Sequence, residues 1–235
     1  MRKTISILII VLSILLSSSS MAQKKINDNW IDWANFKRYA SENKKVEAPL
    51  KNEKRVVFMG NSIFEGWIRL RPDFFAGKPY YDRGISGQTT PQMLLRMHDD
   101  VLALQPEIMV LKAGINDIAE NNAPYDPAHT LDNIKAMAQL ARFNKIKVIL
   151  CSVLPANDFK WRPGLAPGDK VIALNQEIKK FADANKFYYL DLYSAVVDDN
   201  KGMRKEYASD GVHPTVEGYK VMEPLLEDAI RRVKK

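Results

Sequence analysis

Three separated stretches of the chain carry residue types that together could perform nucleophilic acyl transfer. Ser62 follows an apolar run and the pair Gly60-Asn61. A serine directly after a buried strand stands at a helix start, with free backbone N–H groups around its oxygen. The same position suits a plain N-cap, and this feature alone leaves both readings open. His213 lies in Ser209-Asp210-Gly211-Val212-His213-Pro214, three residues after a carboxylate. In a tight turn Asp210 can reach one ring nitrogen, fix the tautomer and support an imidazolium, leaving the other nitrogen to take a proton from a hydroxyl. The other two of the 3 histidines, His98 and His129, fall in or beside surface helices, where a solvated role is the default. So few histidines and a single cysteine, Cys151, make a metal site hard to assemble and exclude thiolate clusters and CxxC pairs.

Acyl transfer also needs donors for a tetrahedral oxyanion. The candidates are the backbone N–H of Ser62, the backbone N–H of Gly84, and the side-chain amide of Asn116 in Gly114-Ile115-Asn116-Asp117. Gly84 lets the backbone approach a ligand closely, whereas Asn116 taken alone reads equally well as a turn residue. No phosphate-binding glycine pattern is present. GxxxxGK[ST] is missing, and Gly84-Ile85-Ser86-Gly87 lacks the third glycine of a dinucleotide loop. No cofactor is expected.

These residues need a scaffold that gathers them, and the hydrophobic patterning supplies one. Largely apolar runs at 55–60, 107–113, 146–154 and 186–193 read as strands buried on both faces, and 80–83 reads as a short strand leading to Gly84. Between them lie helical segments: Ser62 to Leu70, Thr90 to about Leu104, Asp126 to Phe143, 169–184, and a terminal helix capped by Thr215 that contains Pro224. Strands alternating with helices predict a three-layer α/β/α sandwich on a parallel five-stranded sheet. In such a sheet, function sits at the carboxyl ends of the strands. Ser62, Gly84, Asn116, and the loops bearing Trp161 and Arg162 or Asp210 and His213 all fall there.

The chain has 235 residues with 46% apolar and 27% charged side chains, which fits one globular domain and not a disordered or low-complexity chain. Residues 1–22 begin with Arg2 and Lys3, continue with an apolar stretch and end in Ser20-Met21-Ala22. This is the pattern of a cleaved secretory signal, too short in its apolar part to span a bilayer. It predicts an exported protein, periplasmic or extracellular, with no lasting membrane insertion. Residues 23–53 read as an N-terminal arm in which Trp30, Trp33, Phe36 and Tyr39 recur at steps of three, the stripe of an amphipathic helix; packed on the main domain at 54–235 it is a brace, the favoured reading, and exposed it would be a sugar-binding surface. The net charge of +7 raises the question of nucleic acid. The basic residues are scattered and not interleaved with stacking aromatics, so a solvated surface accounts for them better. Oligomeric state is not readable from the sequence, since the arm's stripe could pack within one chain or between two.

Four blocks, in order and at matching strand ends, give a specific likeness. Gly60-Asn61-Ser62, Gly84 in Arg83-Gly84-Ile85-Ser86-Gly87, Gly114-Ile115-Asn116-Asp117 and Asp210-Gly211-Val212-His213-Pro214 resemble the blocks of the SGNH hydrolases, the GDSL-type esterases and lipases. The likeness is greatest to the platelet-activating-factor acetylhydrolase-like branch. It implies a flavodoxin-like sheet of order 2-1-3-4-5, Ser62 as nucleophile, His213 as general base, Asp210 as its orienting carboxylate, and Ser62, Gly84 and Asn116 as the oxyanion hole. Asn61 departs from the aspartate of the commonest first block, a change expected to tune the loop. There is no GxSxG elbow, which speaks against an ordinary α/β-hydrolase.

Short loops without an apolar lid predict an open site and a small acyl group, acetyl first. Asn61 beside the serine, and Trp161 and Arg162 in a strand-end loop, are candidate substrate contacts. The tryptophan would stack on a sugar and the arginine would meet a carboxylate, with structural packing the alternative for both. An O-acetylated glycan is the expected substrate. A lipid or lysophospholipid ester, or a non-catalytic glycan-binding module on the same fold, are the alternatives.

Overall fold

A computed structural model describes residues 33–234. The signal segment at 1–22 and Trp30 lie outside the described residues. Five strands, β1 (Val56–Asn61), β2 (Tyr80–Ile85), β3 (Ile108–Leu111), β4 (Lys147–Cys151) and β5 (Tyr188–Leu190), form one parallel sheet in the order β2-β1-β3-β4-β5. The parallel sense is the one the patterning predicts, and the order is the one the family resemblance implies.

Because side chains alternate across a strand, odd and even positions feed two cores. Val57, Met59, Met109, Leu111, Val148 and Leu150 pack with Met93, Ile134, Met137 and Ile178. The latter come from α3 (Thr90–Leu95), α4 (Pro127–Phe143) and α5 (Pro167–Asn185). On the other face Val56, Phe58, Ile108, Val110 and Ile149 pack with Phe64, Trp67, Tyr219, Met222 and Leu226. These belong to α2 (Ser62–Leu70) and α6 (Val216–Lys234). Burial on both faces explains why the inner strands β1 and β3 read as apolar runs.

The caps follow the sequence signals with one shift. Asp126 accepts from the His129 N–H at 3.0 Å ahead of Pro127, and Thr215 Oγ1 accepts from Gly218 N–H at 3.2 Å. The cap of α3 is Thr89, whose N–H donates to Gln92 Oε1 at 3.0 Å. Thr90 donates instead to Asp117, through its hydroxyl at 2.6 Å. The helix expected to run to Leu104 stops at Leu95. At the break, the fully buried Arg96 guanidinium reaches Gly60 C=O at 2.9 Å and Asp100 Oδ2 at 2.6 Å, and Met97–Asp100 continues as a separate turn. Strands β4 and β5 are shorter than expected. After Cys151 the chain leaves the ladder, and Ser152 Oγ accepts the N–H groups of Leu192 and Tyr193 at 2.9 and 2.8 Å.

The arm is not one continuous helix. Asn35 has φ +54°, and the helix proper, α1, spans Lys37–Asn43. Tyr39 is buried, while Trp33 is 42% exposed, so the aromatic stripe is only partly used as a brace. The arm lies along β2, the edge strand of the sheet. There Tyr39 Oη donates to Gly84 C=O at 2.5 Å and Arg83 Nε donates to Asn43 Oδ1 at 2.8 Å.

Candidate active site

Strand β1 ends in Asn61, extended at φ −118° and ψ −152°, and α2 begins at Ser62. This abrupt change lifts the Ser62 hydroxyl to the rim of the sheet. The loop before α6 comes to the same rim. Gly211, at φ +94°, lets the chain fold so that Asp210 Oδ1 accepts from the N–H groups of Val212 and His213 at 2.9 and 2.8 Å. Asp210 Oδ2 then meets His213 Nδ1 at 2.7 Å, and His213 Nε2 lies 2.9 Å from Ser62 Oγ. A Ser209 N–H to His213 C=O bond of 2.9 Å closes the loop behind the imidazole. Partial burial works to raise the Asp210 carboxyl, but the His213 N–H, the His213 ring and the Val212 N–H outweigh it and hold the group below the usual carboxylate range. Serine, imidazole and carboxylate thus form one continuous hydrogen-bonded line. In it the imidazole can accept the serine proton and the carboxylate can stabilise the cation that results.

Asn116 reaches the same rim from the end of β3. Gly114, at φ +114°, turns the chain where an added Cβ would come within 2.7 Å of Leu174. The single helical turn Ile115–Ile118 then presents the buried Asn116, whose amide donates to Gln88 C=O at 2.9 Å. A primary amide carries two N–H bonds, so a second one is left to serve an oxyanion. Gly84 corrects the expectation made of it. It is buried, and its N–H donates to Asp82 Oδ1 at 2.6 Å. Gly84 sits on the outward side of the edge strand, where a lone backbone donor needs a partner, and Asp82 supplies one.

The glycine that stands free is Gly87, which the sequence reading passed over. It occupies the turn Ile85–Gln88, closed by Gln88 N–H to Ile85 C=O at 3.3 Å, with φ +77°. It is exposed, and its N–H meets no acceptor among the described residues. A positive φ at the third position of a turn is the mark of a type II turn and favours glycine. That pattern is the signal in Arg83-Gly84-Ile85-Ser86-Gly87-Gln88 that could have found it.

The model of the GDSL-like Lipase/Acylhydrolase family matches residues 58–221. The chain belongs to that family. A GDSL-like lipase structure from Bacteroides thetaiotaomicron is 51% identical, covers 85% of this chain and 98% of its own, and superposes with a TM-score of 0.83. A candidate acylhydrolase from Bacteroides fragilis is 48% identical, with 86% and 99% covered and a TM-score of 0.84. An acetylxylan esterase of Xylanibacter ruminicola is 27% identical over 80% of this chain, and the chain spans only 45% of that relative's length.

The remaining expected contacts of this GDSL-like chain divide. Trp161 is at the site, its ring centre 6.1 Å from that of His213 and its Nε1–H directed to Asn121 Oδ1 at 3.3 Å. Arg162 pairs with Glu120, at 2.7 Å to the main-chain oxygen and 3.1 Å to the side chain, and so pins its loop, the packing role that stood as its alternative. Asn61 is 1% exposed and does not face the site. Its Oδ1 caps α2 through Ile63 N–H at 3.2 Å, and its Nδ2 is buried without a partner. From Ser62 and His213 a cavity of about 1090 Å³ runs between α2 and the arm, past Arg38, Glu65, Arg69 and Tyr80. Its lining mixes opposite charges with aromatic rings and small apolar patches. No cluster of three or more His, Cys, Asp or Glu side chains able to hold a metal occurs among the described residues.

Proposed function

We propose that the protein is a serine esterase that removes short acyl groups, acetyl first, from hydroxyls of a carbohydrate. The observation that carries this reading is the Ser62 Oγ to His213 Nε2 separation of 2.9 Å, backed by Asp210 at 2.7 Å. His213 takes the serine proton as Oγ attacks the ester carbonyl. The Ser62 N–H, the Asn116 amide and the Gly87 N–H stabilise the oxyanion. His213 returns the proton to the leaving alcohol, and water activated by the same imidazole releases the acid from the acyl-serine. Kinship with the acetylxylan esterase of Xylanibacter ruminicola supports acetyl as the acyl group, and a groove lined by paired charges and aromatic rings suits a polyhydroxylated alcohol better than an alkyl tail. We extend the proposal to export through the N-terminal segment and, within the family, to the platelet-activating-factor acetylhydrolase-like branch. The test is hydrolysis of p-nitrophenyl acetate, butyrate and octanoate and of acetylated xylan by the wild type and S62A. Acetate release abolished in S62A supports the reading. Preference for octanoate moves it to lipid esters, and no turnover leaves a binding protein on this fold.

A further inference from the structure

We propose that Glu65 is a positioning residue for the oxyanion turn, and that the N-terminal arm, through Arg38, is part of the same device. This rests on the esterase reading above. Glu65 lies one helical turn after Ser62 on α2, so its carboxylate projects from the same end of the helix. It accepts from Ser86 N–H at 2.9 Å and also from the Ser86 hydroxyl. Its other oxygen accepts from Arg38 Nη2 at 3.3 Å. Burial works to raise the Glu65 carboxyl, but the Ser86 donors and Arg38 prevail and keep it below the usual range, hence ionised at neutral pH.

Ser86 is the residue before Gly87, so the peptide whose N–H serves the oxyanion is anchored at its first member by Glu65. The far side of the turn is anchored elsewhere: Gly87 C=O accepts from Asn121 Nδ2 at 3.2 Å and Gln88 C=O from Asn116 at 2.9 Å. The arm grips both ends. Tyr39 donates to Gly84 C=O at 2.5 Å, and Gln88 Nε2 donates to Ala34 C=O at 2.8 Å. Fixed on every side, the Ser86–Gly87 peptide has little freedom to rotate. Electrostatic stabilisation of a transition state depends on donors already aimed when charge develops. Ser86 is exposed, so without Glu65 water would replace the carboxylate, and the turn would sample other peptide orientations.

The experiment compares the wild type, E65A, E65Q, R38A and S62A in kcat and KM for p-nitrophenyl acetate, thermal midpoint, and hydrogen exchange over residues 84–90. E65A should lower kcat about 10- to 100-fold, less than outright removal of an oxyanion donor, with KM within about twofold. E65Q keeps an acceptor for Ser86 and should recover part of that loss, and R38A should lose less than E65A. Exchange at 86–88 should quicken in E65A while the midpoint stays within a few degrees. Wild-type kcat in E65A, or a kcat loss matched by an equal loss of thermal stability, overturns the proposal. If the wild type shows no Ser62-dependent turnover, the esterase reading fails. Unchanged exchange at 86–88 in E65A would then overturn the positioning role as well.

Discussion

At the residue scale, the chemistry rests on a few side chains whose removal has separable consequences. Ser62→Ala should leave the fold intact and reduce p-nitrophenyl acetate turnover by at least about 10³-fold. Asp210→Asn should cost a similar factor, because an amide cannot hold the imidazole in the required tautomer or stabilise its cation. Asn116→Ala should lower kcat by about 10²- to 10³-fold at nearly constant KM, since its free N–H matters most when the oxyanion forms. The two glycines near Ser86 should behave differently. A Cβ on Gly84 would come within 2.4 Å of Glu65 N and 2.7 Å of Asn61 C=O, both backbone atoms, so Gly84→Ala should lower the thermal midpoint markedly. A Cβ on Gly87 meets open space, so Gly87→Ala should act through the strained φ of +77° and show mainly in kcat. Denaturation curves beside steady-state kinetics check both. The contrast also marks how far the sequence could be read. Ser62, Asp210 and His213 were legible because a three-residue spacing and a strand-to-helix junction constrain them locally. Gly84 and Gly87 were not separable, because which of two nearby N–H groups is taken depends on Asp82 and on an edge-strand direction that no local pattern encodes. The pairing of Arg162 was not legible for a similar reason: its partner Glu120 lies forty-two positions away in the chain, beyond the reach of spacing arguments.

At the element scale, the parallel sense followed from patterning and the strand order from the family resemblance, while the ends of elements followed from neither. Side-chain hydrogen bonds to distant backbone groups mark these ends, Arg96 to Gly60 C=O where α3 stops and Ser152 Oγ from Leu192 N–H where the chain leaves β4. The edge strand carries its own electrostatic consequence. Asp82 is 4% exposed, with Oδ1 on Gly84 N–H and Oδ2 without a partner. Burial pushes its carboxyl up to about 7, more than the Gly84 N–H and nearby Arg83 pull it down. A carboxyl with a raised folded pKa binds more protons folded than unfolded at intermediate pH. Its contribution to stability is therefore whole below the unfolded value near 4 and disappears as pH climbs through about 7. Asp82→Asn removes that titration. The wild type should lose more thermal stability between pH 5 and pH 8 than the variant does, by a difference on the order of a few kcal/mol. Equal losses in both proteins would show that Asp82 does not titrate in this range.

At the scale of the whole molecule, the sheet is covered on both faces, and the arm deals with one of its two edges, β2. A strand with free backbone donors and acceptors is a template for another chain. Here the outward groups of β2 are covered from within: Gly84 N–H by Asp82, Gly84 C=O by Tyr39, and Asp82 C=O by Arg83 Nη1 at 2.6 Å. Arg83 in turn lies over the Tyr39 ring at 4.7 Å and holds Asn43, so two of these three covers depend on α1. Truncation before Lys54 would strip Tyr39 and Asn43 together, exposing the Gly84 carbonyl and loosening Arg83. The shortened chain should melt several degrees below the full one and should self-associate through β2, seen as a concentration-dependent rise in mass by light scattering. Tyr39→Phe gives a milder form, because it removes one hydrogen bond worth about 1 kcal/mol and keeps the ring that Arg83 covers. A truncated chain as stable and as monodisperse as its parent would mean that the edge is protected by Asp82 and Arg83 alone, and that the arm's contacts serve the active-site turn and nothing wider.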